Sequence, residues 1–237
     1  MISILVPTLN EAKNIPKLIK KLDNFQYKYE LIIIDDNSTD NTEKIVKKFL
    51  NKKIKFLKRV EINRDLSKSI MLGAENAKYK HLLVLDCDLQ HDITDANLMF
   101  KKLLKYNLDV VIGSRFLKQK YSGNLGFFRS LFSLSFIFTI NFLLKKKTTD
   151  PLSGFFICKK NIMFKNKDNY FLKGYKILFD IIYNSRQNMK IKDIQINFRK
   201  RKHGKSKLNS RIVRIFIEQI FYTLKKNYLL NKKKKYI

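Results

Sequence analysis

Short apolar runs alternate with amphipathic stretches along the first half of the chain. "ISILVP" (2–7) reads as a buried strand, and "NIPKLIKKL" (14–22) places apolar residues at helical spacing. "ELIIIDD" (30–36) predicts a second strand, followed by a helix over "TEKIVKKFL" (42–50). "KIKFLK" (53–58) and "SKSIMLGAENA" (67–77) repeat the pair, as do "HLLVLD" (81–86) and "ANLMFKKLLK" (96–105), before a last strand at "DVVIG" (109–113). Alternation of this kind predicts an α/β fold with a mostly parallel central sheet flanked by helices. In such sheets ligands bind beyond the carboxyl ends of the strands. The polar clusters of the first half fall at such ends.

Beyond residue 120 the texture changes. "GFFRSLFSLSFIFTINFLLKKK" (126–147) is apolar and aromatic, and its uncharged part, Ser130 to Leu144, is short for a bilayer crossing, which takes roughly 20 residues. The reading adopted is one or two interfacial amphipathic helices lying in a membrane surface or lining a lipid-accepting groove; a plain core helix is the alternative. "RIVRIFIEQIFYTLKKNYLL" (211–230) is amphipathic, with Arg211, Arg214, Glu218, Lys225 and Lys226 interrupting its apolar face. It suits a membrane surface, or packing against the domain.

Charge sharpens this picture. The 237 residues carry 50 Lys and Arg against 20 Asp and Glu, a formal charge of +30, with 45% hydrophobic residues, so a folded core with anionic partners is expected. Between Arg199 and Lys235 the only acid is Glu218. The two cysteines, Cys87 and Cys158, have no metal-ligand spacing and fit a reducing compartment. The start "MISILVPTLNEAKN" has no basic n-region, so no signal peptide is expected.

The acids at the strand ends carry the candidate chemistry. In "HLLVLDCDLQHD" (81–92) an apolar strand runs into Asp86 and Asp88, and residues i and i+2 of an extended chain face one side. Two carboxylates so placed repel unless a cation joins them, and oxygen ligands suit Mg²⁺ or Mn²⁺. Gln90 continues the series. An isolated Asp-x-Asp is often only a surface turn; the apolar strand in front of this one argues against that. "LIIIDDNSTDNT" (31–42) repeats the theme with Asp35 and Asp36, while Asp40 or Ser38 reads as a helix cap. "VPTLNEAKNI" (6–15) adds Glu11. Acidic strand ends inside a basic protein suit an anionic ligand held through a metal.

These segments, with "NRDLSKSIMLG" (63–73), "DVVIGSR" (109–115), "DPLSGFFICKK" (150–160) and "RKRKHGKSKL" (199–208), resemble glycosyltransferase family 2 in order and spacing. "DPLSGF" with "R-x-x-G-x-S-K-L" is most similar to its dolichol-phosphate mannose synthase, or polyprenyl-phosphate glycosyltransferase, branch. The resemblance implies a GT-A fold in a single domain, 1–237. Residues 1–120 would form the nucleotide-sugar-binding core and 121–237 the acceptor and membrane-facing part. It implies that Pro7, Leu9 and Glu11 border the base and ribose, with Ile34 and Asp36 beside them. Asp86, Cys87 and Asp88 would contact the nucleotide, Asp88 and Gln90 a divalent metal, and Arg115, Arg129, Arg201 and Lys207 the donor or acceptor phosphates. Asp88, Arg115 and Arg129 are the residues expected to carry catalysis. Leu9 departs from the aromatic residue of many relatives, "NRDLSKSIMLG" lacks their glycines, and Asp92 replaces a proline.

The implied reaction is inverting transfer of a hexose to polyprenyl phosphate, dolichyl or undecaprenyl, at the cytoplasmic membrane face, with mannose from GDP-mannose the first choice. UDP-glucose as donor and a glycan as acceptor are the alternatives. An ionised lipid phosphate needs little help from a protein base, and His81, His91 and His203 are dispersed accordingly. The sequence does not show the two C-terminal transmembrane helices of some relatives. Membrane contact is therefore expected from an anionic surface binding the 126–144 segment or the last helix, or from a separate membrane-protein subunit. A nucleic-acid-binding role would need a stacking platform, and none is visible. A scaffold that lost activity is disfavoured by the intact Asp86, Asp88, Gln90, Arg115 and Lys207.

Overall fold

The computed structural model describes residues 1–61, 64–117, 140, 147–185, 189–197, 199 and 210–234. Strands β1 (Ile2–Thr8), β2 (Tyr29–Asp35), β3 (Ile54–Lys58), β4 (His81–Val84), β5 (Val110–Ser114), β6 (Phe156–Lys159) and β7 (Ile191–Gln195) form one sheet in the order β3-β2-β1-β4-β6-β5-β7. All neighbours run parallel except β6, which is antiparallel to both β4 and β5. The α/β architecture expected from the alternating pattern is the one observed.

β1 and β2 are buried at every position, as strands covered on both faces must be. On one face α1 (Ile15–Leu22), α2 (Thr42–Lys47) and α4 (Ile93–Lys105) pack Leu18, Val46 and Phe100 against Ile4 and Val6. On the other, α3 (Leu66–Glu75), α5 (Lys160–Phe164), α6 (Ile177–Asn184) and the long α7 (Ser210–Lys234) cover Leu5 and Ile32 with Ile70, Met163, Phe179 and Phe216. The helices start where local chemistry allows: Pro16 sits in the first turn of α1, and the Asp92 carboxylate accepts the Thr94 N–H at the start of α4.

Three departures from the sequence pattern matter for the site. α4 begins at Ile93, three residues ahead of its expected start, because Asp92 caps it. β6 and β7 come from segments not assigned as strands from pattern, and they join the same sheet as the first five. The apolar stretch 126–144 lies outside the described residues except for Ile140, which is buried in the second core. Among the described residues no helix is long and apolar enough to cross a membrane.

Candidate active site

β4 ends at Val84, and Cys87 and Asp88 form a turn closed by Leu89 in the left-handed region (φ 66°). Asp86 therefore precedes a turn and Asp88 lies within it, instead of both extending a strand, and their surroundings differ. The Asp86 side chain is 38% exposed. Asp88 is buried and its Oδ1 accepts the Gln90 N–H at 3.1 Å. Cys87, between them, points into the first core.

The "DPLSGF" segment wraps around this turn, and the sheet explains how. In the antiparallel β4–β6 register Val84 stands opposite Phe156, so two residues further on Asp86 meets Gly154. A Cβ on Gly154 would lie 2.8 Å from Asp86 Oδ2; only glycine admits the carboxylate there undisturbed. Phe155 stacks on the His91 ring at 4.4 Å, and His91 Nε2 lies 3.6 Å from Asp86 Oδ2. Gly113 on β5 gives Phe155 its space, since a Cβ there would meet the ring at 2.5 Å. Ser153 Oγ donates to the Gly113 carbonyl at 2.8 Å. Asp150, fully buried, grips Arg115 through both oxygens, at 2.8 Å to Nε and 2.9 Å to Nη2. That fork fixes the arginine plane, as a bidentate pair does.

Lys176 adds a cation that sequence reasoning missed. It stands just ahead of α6, donates from Nζ to the Leu152 carbonyl at 3.1 Å, and feels Arg115, Asp150 and Asp86. Burial and the neighbouring Arg115 push it down to about 8, against the pull of Asp150 and Asp86. A lone lysine before an apolar helix carries no sequence signal of this placement. On the opposite flank Gln90 Nε2 donates to the Arg199 carbonyl at 2.9 Å, and Arg199 N–H returns to the Gln90 carbonyl at 3.0 Å. Arg199 also ion-pairs with Asp92. The basic run that includes Arg201 and Lys207 starts from this anchor. Arg201, Lys207 and Arg129 themselves lie outside the described residues.

The ends of β1 and β2 adjoin each other. Pro7 pairs with Ile34 and Thr8 with Asp35. Asp35 accepts Ser38 N–H at 2.9 Å and organises its own turn, while Asp40 accepts Thr42 N–H from one residue ahead of Asn41, which holds the N-cap position expected of Asp40 or Ser38. Asn10 N–H donates to Ser38 Oγ and Glu11 N–H to Thr42 Oγ1, lacing the loop that carries Leu9 and Glu11 to the one that carries Asp36. Asp36 is buried and ion-paired with the buried Arg59, which also donates to the Asp65 carbonyl and to Glu61. Burial raises Asp36 above the usual carboxylate range even though Arg59 lowers it. Arg59, at the tip of β3, is a second residue that sequence reasoning did not find.

The sequence of these elements matches the family model described as "Glycosyl transferase family 2" over residues 3–167, most of the chain. The chain belongs to glycosyl transferase family 2. A dolichol-phosphate mannosyltransferase from Pyrococcus furiosus is 29% identical over 229 residues, covering 94% of this chain and 64% of that protein. A dodecaprenyl-phosphate galacturonate synthase from Rhizobium johnstonii is 28% identical over 120 residues, 48% of this chain and 36% of that one. The chain thus spans less than two thirds of the length of these relatives. Among solved structures, a glucosyl-3-phosphoglycerate synthase from Mycobacterium tuberculosis, in complex with Mn²⁺, UDP-glucose and phosphoglyceric acid, aligns with a TM-score of 0.66 at 16% identity. That alignment covers 86% of this chain and 72% of the synthase. It gives the fold, which is the GT-A type expected from the sequence.

For a family 2 protein the metal question is one of charge and donor type. Asp86 and Asp150 face Arg115 and Lys176, and the buried Asp88 stands two residues on, so the acids of this cluster leave little net positive charge where a phosphorylated donor is expected. A divalent cation would supply that charge. The donor atoms suit one of the Mg²⁺ or Mn²⁺ class: carboxylate oxygen from Asp88 and amide oxygen from Gln90, whose nitrogen is committed to Arg199. No group of three or more His, Cys, Asp or Glu is placed to hold a metal ion among the described residues, so a metal there would complete its coordination with substrate oxygens and water.

Proposed function

We propose that this chain transfers a hexose from a nucleotide-sugar to a polyprenyl phosphate at the cytoplasmic face of a membrane, with GDP-mannose as first-choice donor. The observation that carries this reading is the seat of "DPLSGF" against the acid pair, through Gly154 on Asp86 and Asp150 on Arg115. That segment is part of the resemblance to the polyprenyl-phosphate branch. It is supported by the similarity to the Pyrococcus mannosyltransferase along nearly the whole chain.

In this mechanism the chain's work is positioning and charge. Pro7, Leu9, Glu11, Ile34 and Asp36 border the base and ribose, with Asp36 set by Arg59. Asp88 and Gln90 would hold a divalent cation, which when bound would supply positive charge against the leaving diphosphate. Arg115, its plane fixed by Asp150, brings its positive charge to the donor phosphates. Lys176 supplies a second positive charge from the α6 side. Arg129, Arg201 and Lys207 serve the donor or acceptor phosphates. The acceptor phosphate attacks the anomeric carbon as an anion and needs no proton removed, so no histidine base is required.

The test is transfer of radiolabelled sugar into the organic phase by purified protein given polyprenyl phosphate, Mg²⁺ or Mn²⁺, and GDP-mannose or UDP-glucose in parallel. Label in lipid from one donor, lost with chelator and in Asp88→Asn, is the expected result and selects the sugar. Retained transfer in Asp88→Asn would overturn the metal assignment. Donor binding without lipid labelling from either sugar would overturn the acceptor.

A further inference from the structure

Helix α7 has two faces, and only one is covered. Phe216, Gln219 and Thr223 are buried against the domain, with Ile220 partly so. Beside them run Val213, Ile217, Phe221 and Leu224, exposed at 37%, 40%, 68% and 39%. At roughly 100° per residue these four fall within an arc of about 80°. Arg214 and Lys225 follow next on one side of the stripe, with Glu218 3.6 Å from Arg214 just beyond, and Lys232 to Lys235 continue the positive charge in sequence. We propose that this outer stripe of α7 docks on an anionic lipid bilayer, with its apolar side chains in the interface and the flanking cations at the headgroups.

The chemistry favours that occupant over others. A narrow apolar stripe with cations along its outer side has the form of a helix that lies in an interface. A second copy of the chain would bring Arg214 and Lys225 against a surface of the same sign, in a protein of net charge +30. A nucleic acid would satisfy the cations and leave Phe221 and Ile217 without an apolar partner.

The covered face of the same helix reaches the candidate active site. Gln219 Nε2 donates to the Lys176 carbonyl at 3.2 Å. Ile215 lies 2.7 Å from where a Cβ on Gly174 would stand, and Gly174 N–H donates to Asp65 Oδ1 at 2.7 Å. A bilayer on the outer stripe would thus lie about one helix diameter, roughly 10 Å, from Lys176. The benefit of that proximity rests on the lipid-phosphate reading above. The docking does not, and it is measured without donor or acceptor.

The chain contains no tryptophan, so Phe221→Trp places a single indole in the stripe, at its most exposed position. The full chain is titrated with vesicles of phosphatidylcholine alone or mixed with phosphatidylglycerol. Expected are a blue shift and quenching by brominated acyl chains with the anionic vesicles only, both weakened by salt. Ile217→Ser with Phe221→Ser should lower the vesicle partition coefficient by at least about tenfold, with melting and nucleotide binding unchanged. Sedimentation with anionic vesicles without an indole shift would mean adsorption by the lysine tail, and would overturn the proposal. So would a lipid-independent shift that grows with protein concentration, the signature of a second copy.

Discussion

Gly154→Ala asks whether the "DPLSGF" segment shapes the acid pair. The added methyl would stand 2.8 Å from Asp86 Oδ2 and 3.3 Å from Oδ1, where ordinary contact begins at 3.4 Å. One oxygen is thus too close by about half an ångström. Gly154 has no positive φ, so the backbone tolerates alanine and the carboxylate must give way. Because the Asp86 side chain is 38% exposed, it can swing toward solvent without disturbing the core. The stability cost should stay within about 0.5 kcal/mol, or one to two degrees in melting temperature. Function is more sensitive. In a site that works by positioning, a displacement approaching 1 Å costs up to about 100-fold. The expected result is a ten- to hundredfold loss of kcat/KM for sugar transfer, and a matching loss of donor affinity by calorimetry, in a normally folded protein. Asp86→Ala supplies the control. If the methyl acts through the Asp86 carboxylate, adding Gly154→Ala to Asp86→Ala should do little more. Full activity in Gly154→Ala, or two losses that multiply, would refute the reasoning.

Other residues give equally concrete expectations. Lys176, pushed down to about 8, should lose its charge as pH rises through that value, so donor affinity should fall over the same range. Lys176→Met should weaken donor binding about ten- to hundredfold at pH 7, Lys176→Arg should flatten the pH profile, and calorimetry across pH reads both. Asp180, buried on α6, is raised to about 6 from 3.8 by burial, against hydrogen bonds from Gln219, Phe171 and Leu172. Its folded value lies above its unfolded one, so its favourable contribution is complete below about 4 and lost as pH rises through about 6. Asp180→Asn should therefore be more stable than the parent above pH 6, by at most about 3 kcal/mol, with the advantage vanishing near pH 4 in melting experiments. Arg59→Met leaves the Asp36 carboxylate buried without its cation and should cost about 3 to 5 kcal/mol in urea unfolding. Adding Asp36→Leu should recover much of that loss.

The first five strands and the helices between them were legible because their signals are local. β1 and β2 are apolar at nearly every position, and α1 and α4 carry one apolar stripe each. β6 is four residues long, "FICK", and sits in a segment that sequence reading absorbed as a motif. β7, "IKDIQ", lies at the sheet edge with most of its residues only partly buried, which hides the strand period. In the site, the acids at strand ends were visible, but their partners were not. Arg59 finds Asp36 across 23 residues, and Lys176 meets Arg115 and Asp86 only after α6 has packed. Such pairings follow from topology, and no spacing in the sequence records them. The extended-chain rule that aimed Asp86 and Asp88 the same way also stops at Val84, where β4 gives way to a turn.

That topology turns on one reversed strand. A sheet whose strands are all parallel presents one kind of flank at its ligand-binding edge, the residues that follow each strand. Here those are the loops after β1, β2, β4 and β5, which supply Glu11, Asp36, the Asp86–Gln90 turn and Arg115. β6 runs the other way between β4 and β5, so the residues that precede it arrive at the same edge. Asp150, Ser153, Gly154 and Phe155 thereby reach their neighbours: Asp150 grips Arg115, Ser153 ties to Gly113, Gly154 admits Asp86 and Phe155 stacks on His91. With β6 parallel, the same six letters "DPLSGF" would open at the far edge of the sheet and touch none of these groups. The motif therefore gains its meaning from the direction of the strand behind it. Substitutions that weaken the Val84–Phe156 pairing should act on the acid pair as surely as substitutions within it.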